Sequence, residues 1–248
     1  MIWSKKKSDQ KPKGKPGERV YAIGDIHGCY HQMIELIGMI HTDCAARKDK
    51  QTYLIFLGDL IDRGPDSRGV IEHLMRFPYE FASPLFIKGN HEEMMVRGLT
   101  GEPELLSGWL EHGGYSCAES YGVPRSHLQG QEADAQEHVL RSAIPKSHAM
   151  FLKGFLESVQ FGDYLFTHAG IRPGVPLDQQ SGREMRWIRG PFLEHEGDHG
   201  VVVVHGHTVN EDIVVKSNRI GLDTGAYKNG RLSAICIEED EVSFLSTT

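Results

Sequence analysis

The stretch Gly58-Asp59-Leu60-Ile61-Asp62-Arg63-Gly64 follows directly on the apolar run Thr52 to Leu57. That junction decides the fold. Thr52 to Leu57 has the length and the aromatic and β-branched content of a buried strand. Gly58 ends it, and charged side chains gather just past its carboxyl end. The same order recurs on both sides. Upstream, Arg19 to Ile23 reads as a short strand that stops at Gly24-Asp25-Ile26-His27-Gly28. Downstream, Leu85 to Ile87 stops at Gly89-Asn90-His91-Glu92. Between these strands, residues 30–41 place Met33, Ile34, Ile37 and Ile40 on one helical face, and residues 67–76 turn Val70, Ile71 and Leu74 inward. Strands alternating with helices predict βαβ units and an α/β architecture.

Residues 91–155 carry few strand signals and read as helical, with an insertion at about 93–155. Strand signals return at 157–168, 201–205, 212–222 and 231–246, the last preceded by a Lys228-Asn229-Gly230 turn. An αββα sandwich of two mixed sheets flanked by helices accommodates this order. A single domain over residues 18–248 is expected.

Composition narrows the function. The 248 residues carry a net charge of −7, with 14 His and only 4 Cys. A body this acidic is a poor general binder of nucleic acid. No apolar run approaches the length of a membrane span, and no secretory signal follows Lys5, Lys6 and Lys7. Cys29, Cys44, Cys117 and Cys236 form no CxxC pair, which disfavours thiolate zinc and a disulfide framework and suits reduced thiols in a cytoplasmic protein. Residues 1–17 hold six Lys and one Asp, a net +5, while the other 231 residues hold 21 Lys and Arg against 33 Asp and Glu, a net −12. The Lys-, Pro- and Gly-rich leader is expected to be flexible.

The candidate site lies where the strands stop. Two later strands end at Thr167-His168-Ala169-Gly170 and His205-Gly206-His207-Thr208. In α/β sheets, ligands bind beyond the carboxyl ends of strands. Five strand ends therefore deliver Asp, His, Asn and Arg to one rim. Carboxylate, imidazole and amide oxygen suit Mn, Zn or Fe. Two carboxylates, three imidazoles and an amide exceed the needs of one ion. Two divalent ions about 3.5–4 Å apart, sharing one carboxylate, would use them all.

The blocks GDxHG, GDxxDRG and GNHE stand complete and in order, with Asp25, Asp59 and Asn90 spaced by 34 and 31 residues. In these blocks and the later His segments the chain strongly resembles the PPP family of metallophosphoesterases. That family includes serine/threonine protein phosphatases, their small bacterial and phage relatives, and symmetrical diadenosine tetraphosphatase. The resemblance spans Gly24 to Thr208 and is weak over residues 93–160. It implies Asp25, His27 and Asp59 on one metal, with Asp59 bridging to a second completed by Asn90, His168 and His207. It implies Mn first, with Fe or Zn as alternatives. Hydrolysis would proceed by direct attack of a hydroxide bridging the metals. His91 would be the general acid and Asp62 its partner carboxylate. Arg63 and Arg189, the latter in Trp187-Ile188-Arg189, would grip phosphate beside Asn90. Arg186 rivals Arg189, and His205 rivals His207.

The expected activity is phosphate-monoester hydrolysis on phosphoserine or phosphothreonine in proteins, or on a phosphorylated small molecule. A symmetrical dinucleoside polyphosphate hydrolase comes second, and a pseudoenzyme that binds phosphorylated partners third. No nucleic acid, membrane or partner subunit is expected. Asp223-Thr224-Gly225 resembles an aspartic protease triplet. That chemistry needs two such carboxylates, so a strand-end turn is the better reading. His195, Glu196, Asp198 and His199 read as a solvated loop rather than a third metal site.

Overall fold

The computed structural model describes residues 11–248. In chain order the strands are β1 (Glu18–Ile23), β2 (Gln51–Phe56), β3 (Ser83–Phe86), β4 (Ser158–Phe161), β5 (Tyr164–Thr167), β6 (Val202–His205), β7 (Val214–Val215), β8 (Arg219–Gly221), β9 (Ser233–Glu238) and β10 (Glu241–Ser246). The helices are α1 (Tyr30–Ala45), α2 (Ser67–Arg76), α3 (Asn90–Leu99), α4 (Glu104–Trp109), α5 (Tyr115–Ser120), α6 (Ala133–Ala143), α7 (Lys146–Lys153), α8 (Gly182–Trp187), α9 (Gly190–Leu193) and α10 (Ala226–Asn229). A π turn, Leu110–Gly114, joins α4 to α5.

Two five-stranded mixed sheets form, in the orders β10-β9-β1-β2-β3 and β4-β5-β6-β8-β7. Strands β1, β2 and β3 run parallel, as do β5, β6 and β8. The outer strands β9, β10, β4 and β7 are antiparallel to their neighbours.

Side-chain alternation along the strands explains why both faces of each sheet are covered. On β1, Val20 and Ala22 face the second sheet, while Tyr21 and Ile23 face the helices. On β2, Ile55 points between the sheets and Leu54 and Phe56 point outward. In the second sheet Phe166 and Val204 join the inter-sheet core, while Leu165 and Val203 pack on Ile188 and Phe192. Helix α1 covers the first sheet with Met33, Leu36, Ile37 and Ile40. Helix α2 begins where the Asp66 carboxylate accepts the Gly69 N–H at 2.8 Å. The layers are those of the expected αββα sandwich.

The helical insertion is α3 to α7, and it starts at Asn90, inside the third polar block. Leu106, Trp109, Leu128, Leu140 and Leu152 bury it on the outer face of the first sheet. Among the described residues, no helix is long and apolar enough to cross a membrane. The four cysteines are free.

The flexible leader expected over residues 1–17 needs revision at its end; residues 1–10 lie outside the described residues. The Lys13 N–H donates to Asp163 Oδ2 at 3.0 Å, and Lys13 O accepts the Asp163 N–H at 2.8 Å. The Gly14 N–H donates to Glu239 O at 2.7 Å. The leader thus bridges the β4–β5 and β9–β10 turns, and Gly14 lies where a Cβ would come within 2.9 Å of Phe161. Lysine-rich composition predicts solvation, but backbone amides that find fixed acceptors are ordered whatever their side chains prefer.

At the far end of the first sheet, Glu238 takes Arg19 Nε at 2.7 Å and Lys50 Nζ at 2.9 Å. Burial raises its carboxyl, but Arg19 and Lys50 outweigh that and hold it down, from 4.5 to about 2. A depressed carboxylate stabilises the fold above its unfolded value, and that stability is lost as pH falls toward the folded one. Urea unfolding of wild type should therefore weaken between pH 4.5 and about 2, and Glu238→Gln should flatten that part of the profile. Identical acid profiles would contradict the assignment.

Candidate metal centre

Six strands, not five, release polar side chains onto one rim. β1 supplies Asp25 and His27, β2 Asp59, Asp62 and Arg63, and β3 Asn90 and His91. β5 supplies His168, β6 His207 and β8 Asp223. The loops that carry them are conformationally strained. Seven non-glycine residues among those described have left-handed backbone, and five are His27 (φ +46°), Asp59 (+47°), Asp62 (+74°), Arg63 (+66°) and His207 (+64°). Such strain persists only where surrounding structure holds it, and it concentrates at functional sites.

One buried residue does much of that holding. Glu92 is fully buried; its Oε2 accepts the N–H of Asp59 and of Gly89, both at 2.9 Å, and its Oε1 that of Leu60 at 2.8 Å. It ties the β2 loop to the start of α3. Burial and then the Asp59 charge push its carboxyl up to about 7. Gly89 has to be glycine, because a Cβ there would fall 2.1 Å from Asp59 Oδ1.

Asp59 stands at the centre and is 2% exposed. Its Oδ2 lies 3.3 Å from His168 Nε2, 3.7 Å from His27 Nε2 and 3.8 Å from His91 Nε2. Backbone carbonyls orient two of these rings: Ile61 O contacts His27 Nδ1, and Leu57 O contacts His168 Nδ1, both at 2.8 Å. Each ring is thereby fixed with Nε2 facing the centre. His207 Nδ1 lies 3.2 Å and Asn90 Oδ1 3.0 Å from His168 Nε2. Two clusters of buried donors result, His27-Asp59-His91 and Asp59-His168-His207, each with its ligand atoms within 4.8 Å of one another. Asp59 belongs to both. Asp25 sits at the edge, 4.0 Å from His27 Nε2, with both oxygens accepting the His207 N–H at 3.1 and 3.0 Å.

The electrostatics fit cations. Burial raises the Asp59 carboxyl, yet His168, His91 and His27 together hold it well below the usual carboxylate range. Burial, then Asp223, pushes Asp25 well above that range. Burial lowers His168, but Asp59 more than reverses this and raises it to about 10. Burial and the neighbouring His168 lower His207 to about 2. Protons here balance buried negative charge, so a divalent cation taken up by these donors would release protons. All the donors are nitrogen or oxygen, which suits Mn, Fe or Zn.

His91 carries the same orientation logic. Its Nδ1 meets Asp62 Oδ2 at 2.6 Å, leaving Nε2 toward the centre. Burial lowers its pKa, but Asp59 and Asp62 prevail and raise it. Arg63 lies over the cluster, with Nη1 2.8 Å from His27 Nε2, Nη2 3.2 Å from His91 Nε2, and its guanidinium 4.8 Å above the Tyr227 ring. One imidazole lone pair cannot serve both Arg63 and a cation, so a cation on His27 would release Nη1 for another acceptor.

The two open choices divide clearly in space. Arg186 is committed: it forms a fork with both Glu93 oxygens at 3.0 Å and also bonds Glu157. Arg189 is exposed and reaches Thr208 Oγ1 at 3.3 Å, beside His207. His205 points away from the cluster, with its ring edge-on to Phe192, and burial lowers its pKa to about 4. His195 and His199 stack by Phe192 outside both donor clusters. Asp223 does form a turn, accepting the Gly225 N–H at 3.0 Å, but it is buried and its charge reaches Asp25. Glu92, Asp223, Tyr227 and Trp109, whose indole N–H donates to Asp62 Oδ2 at 2.7 Å, carry no role in the sequence reading. Glu92 ends the Gly89-Asn90-His91-Glu92 block and Asp223 begins the Asp-Thr-Gly triplet, whereas nothing local marks Trp109.

Two outcomes follow. Asp59→Asn should lower Mn binding by more than about a hundredfold in a metal-release titration, since it touches both clusters. Unchanged stoichiometry and affinity would contradict a shared carboxylate. Glu92→Gln places an amide NH₂ among three N–H donors and should cost about 1.5–3 kcal/mol in urea unfolding. A loss below about 0.5 kcal/mol would show that the three bonds do not hold the loops.

Known proteins bear on this geometry. The calcineurin-like phosphoesterase family model matches residues 18–235. Bis(5'-nucleosyl)-tetraphosphatase PrpE (asymmetrical) of Anoxybacillus flavithermus is 24% identical over 91% of this chain and 93% of its own. Serine/threonine-protein phosphatase 1 of Salmonella typhimurium is 34% identical over 42% of this chain and 43% of its own. A solved structure provisionally named a diadenosine tetraphosphatase superposes with a TM-score of 0.64 at 22% identity, covering 94% of this chain and 96% of that one. The family match runs from β1 into β9, across every strand end that bears a donor. The chain therefore belongs to the calcineurin-like metallophosphoesterase family, as a metal-dependent phosphoric ester hydrolase.

Proposed function

We propose that this enzyme hydrolyses phosphate monoesters, with phosphoserine and phosphothreonine in proteins as its substrate class and two divalent cations, Mn foremost, as cofactors. One observation carries the reading. The Nε2 of His91, aimed by Asp62, faces the same point as Arg63 and the two donor clusters that share Asp59. An ester phosphate placed there meets cationic groups on its oxygens and a proton donor on its leaving oxygen.

His27, Asp59, Asp25, Asn90, His168 and His207 would hold the cations. Bound divalent cations supply Lewis acidity and lower the pKa of water enough for attack at neutral pH. The chain's own residues do the rest. Arg63 and Arg189 bind and orient the phosphoryl oxygens, for which a planar guanidinium fork is suited. His91 delivers its Nε2 proton to the departing alkoxide, and Asp62 holds that imidazole in the required tautomer. The four free cysteines support a cytoplasmic setting.

A second reading, hydrolysis of dinucleoside polyphosphates, is favoured by the relative named a tetraphosphatase that aligns over nearly the whole of both chains. The same donors serve both reactions.

The Mn-loaded chain should release p-nitrophenol from p-nitrophenyl phosphate, and a phosphoserine peptide should exceed diadenosine tetraphosphate in kcat/KM. Absence of turnover with each of Mn, Ni, Co and Fe would contradict the assignment. A preference of about a hundredfold for the dinucleotide would reverse the ranking. His91→Asn should lower kcat most for poor leaving groups, since good ones need little protonation.

A further inference from the structure

The end of α4 and the π turn that joins it to α5 touch both the proton donor's partner and the phosphate arginine. Trp109, the last residue of α4, is fully buried, and its Nε1 donates to Asp62 Oδ2 at 2.7 Å. The same oxygen meets His91 Nδ1 at 2.6 Å, while Asp62 Oδ1 is buried with no nitrogen or oxygen donor among the described residues, and the buried Cys117 thiol lies beside the carboxylate. The carboxylate is therefore oriented through one oxygen held from two sides. Gly113, in the π turn that follows, accepts the Arg63 N–H at 3.1 Å through its carbonyl. Its backbone is left-handed (φ +115°), and a Cβ there would lie 2.7 Å from Arg63 Cγ. Asp62 and Arg63, both strained themselves, are gripped by a segment outside the three motif blocks.

We propose that the end of α4 together with this π turn is the positioning element of the site. The Trp109 indole fixes the Asp62 carboxylate that aims His91, and Gly113 sets the backbone from which Arg63 projects. The inference rests on reading His91 as the acid. The insertion then couples proton donation and phosphate binding to one short segment. The competing account makes Trp109 only a space-filler within the insertion.

The two accounts separate in kinetics of the full-length, Mn-loaded chain. Trp109→Phe keeps a ring but loses the N–H. Its kcat should fall about tenfold on phenyl phosphate and less than about threefold on p-nitrophenyl phosphate, with KM little changed. Gly113→Ala should instead raise KM for both esters, and the inhibition constant of inorganic phosphate, about tenfold without altering the ratio of their kcat values. Equal kcat losses on both esters in Trp109→Phe, or an unmoved KM in Gly113→Ala, would overturn the proposal.

His91→Asn is the reference. If it shows no leaving-group dependence, the acid reading itself fails. If it does and Trp109→Phe does not, the positioning role alone fails. Should Trp109→Phe not fold, nitrogen-15 spectra of the tryptophan indoles take its place, since the chain has three tryptophans. A solvent-protected indole N–H that shifts in Asp62→Asn is expected. Indoles indifferent to that substitution would overturn the proposal.

Discussion

A buried carboxylate ringed by imidazoles is the constraint on which this structure turns. Asp59 is almost sealed from water, and His168, His27 and His91 all approach its Oδ2 within 3.8 Å. An unpaired charge in such a place is prohibitive, so the surrounding chain has to bring positive partners to it. Those partners come from strands far apart in sequence. Parallel strands satisfy the requirement, because their carboxyl ends all face one rim. The left-handed residues in the loops are the conformational cost of this convergence, and Glu92 fixes two of those loops against each other.

Much of this was legible in the sequence. Apolar runs and glycine stops located β1 and β2, and the helices between them implied parallel order, since a strand buried on both faces reads as a continuous apolar run. Most of the candidate donors stood at those stops, and the fold gathers His27, Asp59, His91, His168 and His207 into two clusters that share Asp59. Other features depend on tertiary context. Arg186 and Arg189 are alike in sequence, and only the Glu93 fork on Arg186 distinguishes them. His205 and His207 differ by the left-handed turn at His207, which points one ring inward and leaves the other on Phe192. Asp223 looked like a turn and is one, but its turn lies beside Asp25. Trp109 was illegible because its partner is 47 residues earlier in the chain. The docking of Lys13 and Gly14 was illegible too, because backbone hydrogen bonds leave no mark on composition.

Scaffold and insertion divide the work unevenly. The loops at the strand ends supply most donors to the shared-carboxylate centre, and the family match over residues 18–235 spans sheets and insertion alike. The insertion supplies Asn90 and His91 at the start of α3, and farther along it Trp109 and Gly113 contact Asp62 and Arg63. The donors and the segment that holds Asp62 and Arg63 are thus separable parts of one fold. That view accommodates relatives named for phosphoproteins and for dinucleotides on one architecture.

The central claim is that Asp59 joins two cation sites into one centre. Electron paramagnetic resonance of the Mn(II)-loaded protein tests it most directly, because two ions sharing a carboxylate are magnetically coupled. A spin-coupled spectrum should appear as the second equivalent binds. A signal from isolated Mn(II) alone, growing in proportion to added metal, would contradict the account.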